Sequence, residues 1–245
     1  MAQFFHYTLR TTNVPAARAF YAAVLGAGEA DIVQLHEQAL TRGARPHWLG
    51  FIKVAEVDAA AAAFAARGAT PLGPKWLNPQ GLEATVMRDP GGAVVALAKP
   101  PPALSLASLP EVLWHQLSTL AVQSAKANYA ALVGWDFKEP FELAGVGALH
   151  PFAWQPGGPV VGSMSDIAQR PGVHTHWLFH FRVPALEPAL EAVRAGGGVS
   201  LPVLTLPNGD RVVACDDAQG AAFALFERTP GRIVGAGVST GAPQH

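Results

Sequence analysis

Apolar and polar residues trade places at every second position in several short runs of this chain, and at intervals of three and four in others. Phe4–Thr11 (FFHYTLRT) and His47–Val54 (HWLGFIKV) alternate as half-buried strands do. Pro15–Leu25 carries the helical period, with proline in its first turn and Gly26 as its stop. Val57–Arg67 reads as an alanine-rich helix ended by Gly68. Glu83–Arg88 and Ala93–Ala98 read as strands joined by Asp89-Pro90-Gly91-Gly92, a turn in which proline presets φ and glycine supplies the left-handed position.

The same order returns in the second half. HYTLRTTNVPAARAFYAAVLG, from His6, superposes on WHQLSTLAVQSAKANYAALVG, from Trp114, at an offset of 108 residues. HWLGFIKV superposes on HWLFHFRV at an offset of 129, and DPGGAVVAL, from Asp89, on DAQGAAFAL, from Asp217, at 128. Three blocks in one order mark a tandem duplication, with Pro100-Pro101-Pro102 as the linker. The expected organisation is a first domain over 1–103, a second over 104–229 and a mobile tail over 230–245. The rise in offset from 108 to 129 gives the second copy 21 extra residues, about one hairpin, in strands expected near 135–143, 148–155 and 159–165. The remaining elements of the second copy are expected at 113–119, 124–133, 176–183, 186–195, 211–215 and 221–226. The first copy is the reduced one, and its concave face should be shallow or open.

Composition narrows the partners. Of 245 residues half are hydrophobic, and 17 basic side chains face 18 acidic ones, so no net field favours nucleic acid or an anionic membrane. The apolar stretches break before the roughly 18 residues a spanning helix needs. The start lacks the basic and apolar regions of a signal peptide, and the reading is a cytosolic protein. Cys215, beside Asp216 and Asp217, reads as a buried strand thiol rather than a nucleophile. Gly196-Gly197-Gly198 follows a helix instead of opening one, which makes it a C-cap and not a phosphate loop. GxSxG, P-loop, CxxC and HExxH patterns do not occur.

The strand with His6 and Arg10 in HxxxR spacing, the helix ending FYAAVLG, the HWL strand and the DPGG hairpin together resemble the vicinal oxygen chelate superfamily, which includes glyoxalases, extradiol dioxygenases and bleomycin-resistance proteins. WHQL, VGW and DAQGAAFALF are similar to the tandem glyoxalase-like members, and the resemblance covers roughly residues 3–228. It implies an α+β fold: tandem βαβββ modules forming curled mixed sheets, with helices on the convex side. It also implies metal ligands projecting into each cup from the first strand, the strand opening the second module and the last strand. Those positions hold His6, Leu49 and Ala96 in the first copy and Trp114, Leu178 and Ala224 in the second. Only His6 can donate to an ion, and His36 and Glu37 are its conceivable helpers. No cofactor is expected.

HTHWLFHFRV, residues 174–183, puts His176, Leu178, His180 and Arg182 on one strand face, and in the family register that face is the cup. Residues two apart on a strand stand about 6.6 Å apart and those four apart about 13 Å, too far for one ion to be gripped by both His176 and His180. The expected pocket is lined by Trp114, Gln116, Ser118, Phe152, Trp154, His176, His180, Arg182 and Phe226, with Met164 in the wall. Arg182 would meet an anionic group and His180 would exchange a proton near neutral pH. The function expected is metal-free binding of a small organic molecule, sequestered or accepted as substrate. Two alternatives stand beside it: a metal-dependent lyase, isomerase or dioxygenase with unusual ligands, and a catalytically empty scaffold acting through oligomerisation, such as a homodimer. No catalytic residue is assigned.

Overall fold

Strand pairing closes two mixed sheets, one from each copy, in a computed structural model that describes residues 1–26, 30–79, 81–101 and 111–229. The last linker proline, Pro102, and the tail expected over 230–245 lie outside the described residues. The first half runs β1 (Phe4–Thr11), α1 (Val14–Leu25), β2 (Asp31–Gln34), α2 (Glu37–Thr41), β3 (His47–Lys53), α3 (Val57–Ala66), β4 (Thr70–Pro71), β5 (Trp76–Leu77), β6 (Glu83–Arg88) and β7 (Val94–Lys99). Its sheet order is β2-β1-β3-β7-β6-β4, with β5 beside β6.

The second half runs β8 (Val112–Ser118), α4 (Val122–Val133), β9 (Asp136–Phe137), β10 (Phe141–Leu143), β11 (Gly147–Ala153) and β12 (Val160–Ser165). It continues with β13 (His176–Arg182), α5 (Leu186–Ala195), β14 (Val199–Ser200), β15 (Leu204–Thr205), β16 (Arg211–Asp216) and β17 (Ala222–Glu227). Here the order is β10-β11-β12-β8-β13-β17-β16-β14, with β9 on β11 and β15 on β16. Both sheets share one plan. An antiparallel pair, β1 with β3 or β8 with β13, is flanked by parallel neighbours, β2 and β7 or β12 and β17. The extra residues of the second copy form β9, β10 and β11, which have no counterpart in the first.

The two sheets turn their helix-bearing faces toward each other. Phe179 of β13 sits 4.9 Å from Tyr7 and 5.4 Å from Phe4 between ring centroids, and Phe181 sits 4.8 Å from Trp48. Of the odd-numbered aromatic residues of HTHWLFHFRV, Trp177 packs on Tyr129 of α4, while Phe179 and Phe181 cross to the other sheet. Gly50 of β3 makes that approach feasible, since a Cβ there would lie 2.5 Å from the Phe179 ring and 2.7 Å from Phe4.

The duplication has produced a reciprocal latch across this interface. Trp48 Nε1 donates to Tyr21 Oη at 3.0 Å, and the Tyr21 hydroxyl donates to Asp217 at 3.2 Å in the other half. In the equivalent positions Trp177 Nε1 donates to Tyr129 Oη at 3.3 Å, and Tyr129 donates to Asp89 at 3.1 Å. Each aspartate also accepts an N–H of its own hairpin turn, from Ala93 or Ala221. The turn that closes one copy thus holds the first helix of the other. Such buried bonds to a carboxylate are about twice as strong as neutral ones and costly to leave half made.

The helix seams beside the two latches differ. α1 lies along α5, with Phe20 seated where a Cβ at Gly196 or Gly198 would come within 2.6 Å or 3.1 Å of its ring. The glycine triplet ends α5 at Gly196, as its place after the helix implies, and it also makes room for this ring. Between the sheets, His115 Nδ1 donates to the Val161 carbonyl at 2.9 Å, so its Nε2 accepts from the Tyr7 hydroxyl at 2.6 Å. Its ring stacks on Phe4 at 5.2 Å.

These contacts predict that Gly50→Ala and Gly162→Ala are each destabilising, because at Gly162 the new methyl would strike the His115 carbonyl and the Phe152 ring. Overpacking of this kind costs about 1–3 kcal/mol, more where backbone must move. Gly73→Ala, with open space around it, should leave the melting temperature unchanged and serves as the control. Thermal unfolding of the three variants checks the ordering.

Candidate functional site

The face of the second sheet turned away from the interface carries the candidate site. Antiparallel register sets His176 opposite Ser118, Leu178 opposite Gln116 and His180 opposite Trp114. Parallel register on the other side of β13 sets Ala224 beside His180 and Phe226 beside Arg182. β12 adds Ser163 beside Gln116 and Ser165 beside Ser118. Trp114 Nε1 donates to Ser163 Oγ at 3.3 Å, which ties β8 to β12 on this face. Trp114, Gln116, Ser118, His176, His180, Arg182 and Phe226 therefore share one surface, as the alternation of the sequence implies.

Phe152, Trp154 and Met164 do not belong to it, and their expected place in the cup wall is corrected. The Phe152 ring lies 4.7 Å from Trp135, and Trp154 lies 4.9 Å from His115 and 5.9 Å from Phe4, all in the core between the sheets. Met164 joins them there. The register explains this: Pro151 pairs with Ser163, so Pro151 and its alternates Leu149 and Ala153 face the cup, and Phe152 faces away. The signal missed was Ser163 and Ser165, two small polar residues at alternate positions of a buried strand.

At the centre of the face His180 is 6% exposed, and neither ring nitrogen has a hydrogen-bond partner. The Ser165 hydroxyl is likewise buried and unpartnered. Burial pushes the His180 pKa down to about 3, with the nearby His115 adding to the effect. The expectation that His180 exchanges a proton near pH 7 is therefore corrected, because the imidazole stays neutral and offers one donor and one acceptor. Its neighbours are apolar or small: Leu178 is buried, Ala224 has no exposed surface, and the Phe226 ring is 6.4 Å away. His176 Nδ1 is occupied by the His174 carbonyl at 2.8 Å. Arg182 lies at the exposed end of β13, paired with Glu111 at 3.3 Å.

The matching face of the first sheet is filled rather than open. Leu49, Phe51, Leu82, Ala84, Ala96 and Ala98 form an apolar cluster of their own, with Trp76 of β5 against Phe51 at 6.4 Å. At its edge His6 Nε2 bonds Asp31 at 2.8 Å, and the Thr8 hydroxyl donates to the same oxygen at 2.8 Å. The bond from His6 is the main cause that holds the Asp31 carboxyl below its usual range. His36, considered as a helper for His6, instead caps α2 by accepting from Gln38 N.

A divalent ion at the positions the resemblance implies needs several N or O donors converging at about 2 Å. At the second cup's three positions stand Trp114, Leu178 and Ala224, and at the first cup's stand His6, Leu49 and Ala96, with His6 already engaged by Asp31. Among the described residues no three His, Cys, Asp or Glu side chains are grouped to hold a metal. The side chains at these positions do not supply the donor set such an ion needs. Cys215 is buried and its thiol pKa is pushed up to about 12, chiefly by burial, which leaves it inert. Among the described residues no helix is long and apolar enough to cross a membrane.

No family model matches the chain. The protein named "Putative glyoxylase CFP32" in Mycobacterium bovis and Mycobacterium tuberculosis is 26% identical over 247 residues, covering 91% of this chain and 93% of the relative. Among solved structures, the 2,3-dioxygenase LapB from Pseudomonas sp. KL28 superposes with a TM-score of 0.60 at 13% identity, over 94% of this chain and 95% of that one. The Mn(II)-bound glyoxalase from Novosphingobium aromaticivorans superposes with a TM-score of 0.59 at 11% identity, over 93% and 83%. A homoprotocatechuate 2,3-dioxygenase variant from B. fuscum gives 0.64 at 13% identity, over 92% and 71%. With two curled mixed sheets from a tandem repeat, and these likenesses along nearly its whole length, the chain has the vicinal oxygen chelate fold seen in those glyoxalase and dioxygenase structures.

Proposed function

We propose that the second cup binds a small organic molecule without a metal, and that the protein acts as a binding member of a superfamily whose relatives include named glyoxalases and dioxygenases. The observation that carries this reading is His180: a buried imidazole with both nitrogens unpartnered, set between Trp114 and Ala224 on a face that also carries Leu178 and Phe226. Each unsatisfied buried group costs about 1–3 kcal/mol, a cost that a ligand with a matching donor and acceptor recovers. Apolar walls with a few convergent polar groups are the usual form of a small-molecule pocket. A neutral imidazole with a pKa near 3 is a poor proton shuttle but a good two-way hydrogen-bonding group, which favours binding over acid–base catalysis. Arg182, already paired with Glu111 at the rim, steers an anionic ligand rather than gripping it. The absence of ligating side chains at five of six inherited positions supports the metal-free part.

If His180 is kept for a ligand, replacing it should stabilise the free protein. His180→Leu should raise the melting temperature by several degrees, since relief of about 1–3 kcal/mol converts at roughly 2–4 °C per kcal/mol in a chain of this size. In a thermal-shift screen of small organic molecules, a compound that stabilises the natural protein should lose its effect in that variant. A compound that shifts both proteins equally, or a variant that melts lower, sinks the reading. Metal analysis of protein purified without a histidine tag should find no stoichiometric transition metal.

The same buried rings predict a pH dependence. Burial lowers His115 to about 4 and His180 to about 3, whereas in the unfolded chain both titrate near 6.5. Above that value both states hold these rings neutral. As pH falls below it the unfolded chain takes up protons that the native protein refuses, so stability drops until about pH 4 for His115 and about pH 3 for His180. Between pH 6.5 and 5, denaturant unfolding of His180→Leu should show a slope shallower by up to one proton, about 1.4 kcal/mol per pH unit.

A further inference from the structure

The two helix seams are related by the duplication but have diverged. In one, Phe20 of α1 presses against Gly196 and Gly198 at the end of α5. In the other, the offsets of 108 and 129 put Asn128 of α4 where Phe20 would be, and Arg67 and Ala69 where the two glycines would be. The aromatic plug is gone. At the surface Arg67 Nη1 donates to Asn128 Oδ1 at 3.1 Å, and beneath them lies a cavity of about 260 Å³ between α3 and α4.

The lining is graded. Phe64, Ala69, Ala125, Tyr129 and Leu132 supply apolar surface, while Arg67 and Ser124 stand exposed at the outer edge. Asp89 lines the inner end, buried and committed to Tyr129. Among the described residues Arg67 makes no ion pair with an acid. The start of α4, at Ala121, has no side-chain cap. An apolar cavity of about 150 Å³ already admits benzene, so the space here holds a ring and a substituent.

We propose that this seam is a second binding site, separate from the cup, for a small aromatic carboxylate. The ring takes the place that Phe20 fills in the twin seam. The carboxylate points outward to Arg67, because the inner end presents the Asp89 carboxylate.

Benzoate, titrated into the full chain and followed by backbone amide shifts, tests this directly. Shifts should concentrate in residues 64–69 and 119–132. Arg67→Ala should weaken benzoate about tenfold, the worth of one charge-assisted pair at a partly open site, and leave benzyl alcohol unchanged. Asn128→Phe, at a half-buried position, should restore the plug, block both compounds and raise the melting temperature. His180→Leu should leave benzoate binding intact, so failure here and failure of the cup reading are separable. The proposal is overturned if benzoate shifts residues elsewhere or none at all. It is equally overturned if Asn128→Phe or Arg67→Ala binds benzoate as the natural protein does.

Discussion

The bond from a tyrosine on the first helix of one copy to the turn aspartate of the other organises the molecule. Because Tyr21 reaches Asp217 and Tyr129 reaches Asp89, each half is completed by the other, and the helix-bearing faces are held together. Once those faces are committed to Trp48, Phe179, Phe181 and their neighbours, the opposite faces of both sheets must look outward. The cups are thus a consequence of how the backs of the sheets are joined. A duplication gives such a latch twice, since one ancestral tyrosine, tryptophan and aspartate supply both sides of a two-fold contact.

With both cups facing away, the two copies have diverged in what they do with that face. The first fills it with Leu49, Phe51 and a run of alanines and closes it with Trp76, using the face as core. The second has more strands on the β8 side, and its face holds His180 and Ser165, whose hydrogen-bonding capacity is unmet. Unmet polar groups in a buried place cost stability, and natural proteins keep them mainly where something else is gained. That contrast between two faces of common descent separates the halves more sharply than any difference in their secondary structure.

Much of this was legible in the sequence, for a definite reason. Period-two alternation in β1, β3, β8 and β13 fixes which residues share a face, so the sequence alone places His176, Leu178, His180 and Arg182 side by side. The duplication fixed the order of elements, including the place of the additional strands. What alternation cannot give is which face of a strand is the buried one when both are apolar. In β11 that ambiguity put Phe152 and Trp154 in the wrong wall, and only the pairing of Pro151 with Ser163 resolves it. β2 and α2 were missed because four or five residues are too few to show a period. The neutrality of His180 was beyond reach as well, since it depends on burial contributed by distant parts of the chain.

The asymmetry of the helix seams follows the same logic one level down. A two-fold arrangement of packed helices needs matched plugs, and only one seam keeps its aromatic ring against glycine. Losing the ring without letting the helices close removes dispersion contacts on every wall of the gap, a loss that a dry cavity cannot recover. The latch explains why α3 and α4 do not simply collapse together: Tyr129 is held by both Asp89 and Trp177, which fixes the height of α4 above the sheet. The contact that binds the two halves is therefore also what keeps this space open.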